Sequence, residues 1–320
     1  MSIQLRHRLT LFALLLNVAL FPSTLSAQAQ IETIHVAAGT PIEPAAEVEY
    51  ARQLGLFAKA GLAMQYEPPT GVGSTAPAVA SGAVDIAYLT IDALALAHQK
   101  NVPFVLIAPA AIYIYPTSEH VAGLVVPANS ALQSAKDFEG KSVATQALNT
   151  MAEYAPRAWI DRSGADSSKV KFAEIPFPAM PAALTAGRID AAWIPEPFLT
   201  VAKQQGNKVV TYWTETIAPQ FLISGWYATR QWATAHPEAV RRFRSVIHDT
   251  AVWANANQDK TAPMIAAYTR LDSAVVASMG RSRYAEQLTP ALIQPVVNMV
   301  AKYSGFPPFS ADEMIFASPR

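Results

Sequence analysis

The chain has 320 residues, 51% of them apolar and 15% charged, which supplies one large core or two moderate ones and excludes a disordered chain. Its 24 basic side chains equal its 24 acidic ones and form no basic cluster, which argues against nucleic acid or an anionic membrane surface as a partner. There is no cysteine, so disulfides, thiolate metal sites, cysteine nucleophiles and a lipidated cysteine anchor are all excluded.

In chain order, Arg6 and Arg8 precede an apolar run from Leu9 to Phe21, then Pro22 and the small-x-small pattern Ala27-Gln28-Ala29. The run is too short to span a bilayer and fits the hydrophobic region of a secretory signal. Residues 1–29 are therefore expected to be a signal peptide cleaved near Ala29. Removing them leaves 22 basic against 24 acidic side chains, a formal charge of −2. The expected product is a soluble periplasmic protein without a lipid anchor.

Hydrophobic periodicity then predicts a strand in ETIHVAAG (32–39), a helix in PAAEVEYARQLGLFAKAG ending at Gly61, and a strand in AMQYEPP. A short helix in STAPAVASG and a strand in VDIAYL follow. From residue 141 the same series returns as KSVATQ, TMAEYAPRAWIDRSG, VKFAEIP, PAALTAG and IDAAWI. Each copy reads β-α-β-α-β, and residues from Ala235 onward read as mostly helical, packing back on the first copy.

The repeat is spelled out most clearly where AVASGAVDIAYLTIDA (78–93) matches ALTAGRIDAAWIPEPF (183–198). Gly82 answers to Gly187, Asp85 to Asp190 and Tyr88 to Trp193. The glycines suit left-handed helix ends, and the aspartates are expected to close the following turns through side-chain to backbone bonds.

Strands alternating with helices predict parallel sheets with right-handed crossovers, and two copies predict two α/β lobes. Lobe 1 is expected from 30–119 and 225–320, and lobe 2 from 120–224. The β-rich segments HVAGLVVPANS and FLISGWYATRQW, interrupted by Gly123 and Gly225, are expected to cross between lobes as paired strands. A ligand site then belongs beyond the carboxyl ends of the strands, where loops and helix N-termini converge.

The segments EYARQLGLFAKAGL, GVGSTAPAVASGAVDIA, SAKDFEGKSVA, ALTAGRIDAAWIPEPF and AHPEAVRRF…AVWANAN occur in an order and spacing that resembles one family. It is the type II periplasmic solute-binding proteins of ABC importers, in the nitrate/sulfonate/taurine and thiamine-precursor branch (NMT1/THI5-like, SsuA/TauA). The resemblance covers nearly all of residues 31–260. It implies a two-lobed type II periplasmic-binding-protein fold with mostly parallel sheets and two hinge-crossing strands. It also implies a monomer that closes on a small-molecule ligand and presents it to an ABC permease in the inner membrane, without a cofactor. A ligand sensor with no transport role uses the same lobes and stays open as an alternative.

Cleft candidates come from the strand ends. Lobe 1 offers Thr40, Pro41 and Ile42, then Gly73 and Ser74, then Tyr88, Thr90 and Asp92; lobe 2 offers Asn149 and Thr150 with neighbouring Gln146, Ala147, Leu148 and Met151, then Phe177, Trp193 and Glu196. Several begin helices, where free N–H groups hold anions or polar edges. In WIPEPF, Pro195 and Pro197 stiffen the backbone around one carboxylate, and the resemblance assigns Trp193 and Glu196 to the pocket.

No Lys or Arg lies within 37–51, 68–99, 142–156 or 172–187, which argues against a multiply charged anion. Tyr88, Trp193, Phe177, Trp226 and Tyr113 are available to stack on a ring, and Glu196 or Asp92 to accept from N–H groups. The expected ligand is a small aromatic or nitrogen heterocycle resembling a pyrimidine, with an alkanesulfonate or other small monoanion as the alternative. An enzyme is not expected. Relatives that make the thiamine pyrimidine rely on a cysteine-rich motif, and His35, His98, His120, His236 and His248 show no metal-ligand spacing.

Overall fold

The computed structural model describes residues 31–38, 41–67, 72–116, 119–212 and 216–317, without the side chains of Val72 and Gly73. The expected signal peptide, Gly39 and Thr40 lie outside the described residues.

The first copy forms β1 (Glu32–Ala37), α1 (Glu47–Gln53), α2 (Leu56–Lys59), β2 (Leu62–Glu67), α3 (Val72–Ser81) and β3 (Ile86–Thr90). One helix was expected between β1 and β2. Gly55 sits at φ 68° in the left-handed region and divides it into α1 and α2. The chain continues through α4 (Ile91–Gln99), β4 (Phe104–Pro109) and β5 (Ala111–Ile114).

The second copy follows β6 (Ala122–Val126) and comprises β7 (Ser142–Thr145), α5 (Met151–Arg162), β8 (Lys171–Glu174), α6 (Met180–Thr185) and β9 (Ala191–Pro195). After it come α7 (Phe198–Gln204), β10 (Lys208–Thr211), β11 (Gln220–Leu222), β12 (Ser224–Thr229), α8 (Arg230–Ala235), α9 (Pro237–Ala256), α10 (Gln258–Thr269), α11 (Ser273–Ser278), β13 (Arg283–Tyr284) and α12 (Pro290–Ser304).

Two five-stranded sheets repeat one plan. The first has the order β2-β1-β3-β12-β4, and the second, read in the same sense, β8-β7-β9-β6-β10. In each, the first three strands are parallel and the fourth runs antiparallel to the third. Those fourth strands are the two crossing segments, and each joins the sheet of the lobe into which the chain is passing. They were expected to pair with one another. The antiparallel pairing between the two passages is made instead by β5 and β11, with Tyr113 opposite Phe221, and β13 flanks β5 in a three-stranded sheet.

The duplicated aspartates carry the symmetry into hydrogen bonding. Asp85 Oδ2 accepts from the His35 backbone N–H at 2.8 Å, and Asp190 Oδ2 accepts from that of Ser142 at 2.8 Å. Each aspartate therefore ties the start of its third strand to the first strand rather than closing its own turn. Gly82 and Gly187, at φ 78° and 66°, make the left-handed exits from α3 and α6.

Helices cover both faces of the first sheet. On one side α9 presents Ala239, Val240, Phe243, Val246 and Ile247 at helical spacing to Ile34, Val36, Val105 and Ile107. On the other, Leu94 of α4 and Ile293, Val296 and Val297 of α12 join one core with Met151, Tyr154 and Ala155 of α5. Thus α9 packs on the first sheet, and α12 packs on that sheet's other side while also meeting α5 of the second copy.

Candidate functional site

The carboxyl ends of the parallel strands in both sheets open on one cavity of about 400 Å³, within the ~300–1,000 Å³ typical of small-molecule pockets. Lobe 1 supplies Ala38, Ile42, Pro44, Thr75 at the first turn of α3, and Tyr88, Leu89, Thr90, Asp92 and Ala93 from the junction of β3 and α4. Lobe 2 supplies Gln146, Ala147 and Thr150 to Ala152 from the junction of β7 and α5, with Phe177, Trp193 and Pro195. Val121, Ala122 and Ile223 complete it from the crossing segments.

The cavity is mostly apolar. Its aromatic wall is held by packing: the Phe177 and Trp193 rings lie 5.6 Å apart and Phe177 also stacks on Phe198. Tyr88 meets Trp226 edge-on at 5.7 Å. No Lys or Arg borders it among the described residues, and the one charged side chain that does is Asp92. Asp92 is 0% exposed, and its Oδ2 accepts from the backbone N–H of Met151 at 2.5 Å. That bond joins the first turn of α4 in one lobe to the first turn of α5 in the other. Burial in this apolar setting pushes the Asp92 carboxyl above its ordinary value.

The loop before α5 is fixed by its own polar groups. Thr150 and Thr145 hydroxyls donate to the Ala147 carbonyl, Leu148 N–H to Glu174, and Asn149 N–H to Glu153. Asn149 adopts φ 60°, a left-handed conformation that asparagine tolerates.

Of the residues expected at the site, Ile42, Tyr88, Thr90, Asp92, Thr150, Phe177 and Trp193 are brought together around the cavity. Pro41, Ser74 and Asn149 stand beside lining residues without bordering it. Thr40 lies outside the described residues, as does the Gly73 side-chain position. Trp226 and Tyr113 belong to the core, 0% and 1% exposed, where Trp226 meets Tyr88 edge-on and Tyr113 is tilted against Phe221, and neither borders the cavity.

Glu196 follows the lining residue Pro195, but its carboxylate turns to the protein. It accepts from the Thr200 N–H and hydroxyl, both at 3.0 Å, which caps the start of α7, and from the Gly280 N–H. Pro44, Thr75, Val121, Ala122 and Ile223 were not anticipated, since nothing local marks a crossing-segment valine or alanine as cavity wall. Among the described residues no three of His, Cys, Asp or Glu gather to hold a metal ion.

Two α/β lobes with exchanged fourth strands and a cavity between their strand ends define the periplasmic-binding-protein fold. The sequence profile of the NMT1/THI5 like family matches residues 45–261, and the chain belongs to that family. It is 28% identical over 237 residues to the taurine-binding periplasmic protein of Escherichia coli (strain K12), covering 72% of this chain and 69% of that one. Among solved structures it resembles the alkanesulfonate-binding protein SsuA from Xanthomonas axonopodis pv. citri, bound to MOPS, with a TM-score of 0.73 at 15% identity, covering 90% and 99% of the two chains. The desulfurization enzyme DSZB shares the fold at a TM-score of 0.66 and 13% identity, covering 89% and 96%.

Proposed function

We propose that this chain is a periplasmic solute-binding protein that closes two lobes on one small organic ligand and delivers it to an ABC importer. The ligand is an organosulfonate or related small monoanion with a sizeable apolar body. The observation that carries this is the cavity itself: both lobes and both crossing segments wall it, so a solute inside must favour the closed form.

The monoanion displaces the heterocycle from first place for two reasons. The relatives named above include binders of taurine and of alkanesulfonates. The first turns of α4 and α5 meet at the cavity, and although the leading Ile91 and Met151 N–H groups are bonded to the Ile223 carbonyl and to Asp92, the positive ends of both helix dipoles favour a single negative charge. Among the described residues no arginine borders the cavity, which fits one charge better than two. The shared fold with a desulfurization enzyme leaves the choice between binding and catalysis to the site, and this chain offers no cysteine nucleophile.

Titration calorimetry on the purified protein with a series of alkyl and aryl sulfonates, against pyrimidines of similar size, tests the reading. Micromolar or tighter binding of at least one sulfonate is expected. Binding of the pyrimidines alone would restore the heterocycle, and mass spectrometry of co-purified ligand gives an independent identification.

A further inference from the structure

Gln146 follows the last residue of β7 and borders the cavity from the second lobe. It is half-buried, and among the described residues its carboxamide has no hydrogen-bond partner. The other polar side chains around the same space are engaged by protein. The Thr150 hydroxyl donates to the Ala147 carbonyl at 2.7 Å, the Thr90 hydroxyl faces the Asp92 carboxyl, the Tyr88 hydroxyl faces Ser224, and Thr75 and Trp193 have interactions of their own. A carboxamide carries two N–H donors and one acceptor oxygen, so Gln146 holds hydrogen-bonding capacity that none of the described residues uses.

The backbone on which Gln146 stands is fixed from both sides. Before it, β7 lies between β8 and β9 in the second sheet. After it, the Leu148 N–H donates to Glu174 at 2.8 Å and the Asn149 N–H to Glu153 at 2.7 Å, while the Thr145 and Thr150 hydroxyls both reach the Ala147 carbonyl. With no bordering Lys or Arg among the described residues, an oxyanion in this cavity has to be met by neutral donors.

We infer that Gln146 is a specificity-determining residue whose side-chain N–H groups donate to an oxygen of the solute's anionic head. This rests on the organosulfonate reading above. The rings of Phe177 and Trp193 suit the apolar body, and Gln146 decides which end of the solute lies toward the loop between β7 and α5.

The test uses the full chain, freed of co-purified solute, with 1-butanesulfonate and 4-methylbenzenesulfonate as probes in titration calorimetry. Gln146→Leu keeps the size of the side chain and removes its donors, and Gln146→Glu keeps its shape and replaces them with a negative charge. For each probe that the wild type binds, affinity is expected to fall about tenfold in Gln146→Leu and further in Gln146→Glu, with both melting temperatures close to that of the wild type. A merely structural role would lower the melting temperatures and would not rank the two variants in this order. Equal affinity of Gln146→Leu and wild type, or undiminished binding by Gln146→Glu, overturns the inference while leaving the organosulfonate reading intact. If the wild type binds neither probe, the organosulfonate reading fails and the inference falls with it. Magnetic resonance on isotope-labelled wild type decides even where a variant does not fold: the side-chain amide pair of Gln146 should shift when the bound sulfonate is added, and a pair that stays in place overturns the inference.

Discussion

Glu196 accepts a hydrogen bond from the backbone N–H of Gly280 at 3.2 Å, linking the end of β9 in one lobe to the segment after α11 that packs on the other. The next two N–H groups do likewise: Arg281 donates to Glu119 at 2.5 Å and Ser282 to Glu43 at 3.0 Å. Three successive amides thus hold carboxylates from lobe 2, the connecting region and lobe 1. Gly280 is required by close approach, since a Cβ there would stand 2.7 Å from the His120 carbonyl oxygen.

Glu196→Ala is therefore expected to destabilise the fold, because it removes the cap of α7 and the tie to Gly280 together. The loss should be about 1–3 kcal/mol in urea denaturation. Ligand affinity measured well below the midpoint should change less than it does for Trp193→Ala. A variant with unaltered stability and abolished binding would return Glu196 to the ligand.

Trp193→Ala removes a half-buried ring that borders the cavity and packs on Phe177. Affinity for the natural solute should fall at least tenfold, roughly 1.4 kcal/mol. Trp193→Phe should recover part of it, as the aromatic face is kept. Calorimetry on the two variants decides, and unchanged affinity in both would remove this wall from the binding surface.

Gly225 in β12 faces a different constraint. A Cβ at this position would lie 2.5 Å from Leu106 Cδ1 and 2.8 Å from the Ala108 carbonyl oxygen, both on β4. The backbone oxygen cannot yield as a side chain can, so Gly225→Ala should cost about 1–3 kcal/mol by overpacking. Thermal melts are the measurement, and a melting temperature equal to wild type would contradict the strand spacing described here.

Glu47 is fully buried, with Trp226 Nε1–H donating to its Oε2 at 3.1 Å. Desolvation holds its carboxyl well above the ordinary 4.5, against the smaller lowering effect of that bond. A carboxyl raised on folding favours the native state most below its unfolded value and loses that contribution as pH rises toward the folded value. Glu47→Gln keeps an acceptor for Trp226 and removes the titration. It should match wild type near pH 4 and become the more stable of the two as pH rises to 7, with the gap widening across that range. A stability difference independent of pH would show that Glu47 does not titrate across this range.

What the amino-acid sequence determined by itself is local and periodic. Strand and helix spacing revealed the two β-α-β-α-β copies, Gly82 and Gly187 marked their left-handed helix exits, and the strand ends pointed to Tyr88, Asp92, Thr150, Phe177 and Trp193. These are legible because a strand's period, a glycine's φ and a loop's place after a parallel strand depend on near neighbours. The tertiary structure alone decided which carboxylates face protein and which face the cavity. Glu196 meets Gly280 across 84 residues, Glu119 meets Arg281 across 162, and Glu43 meets Ser282 across 239. Asp92 and Met151 come together only because the crossing strands bring the strand ends of two sheets to one space. No short-range pattern encodes such partners, since their proximity is a property of the closed chain path.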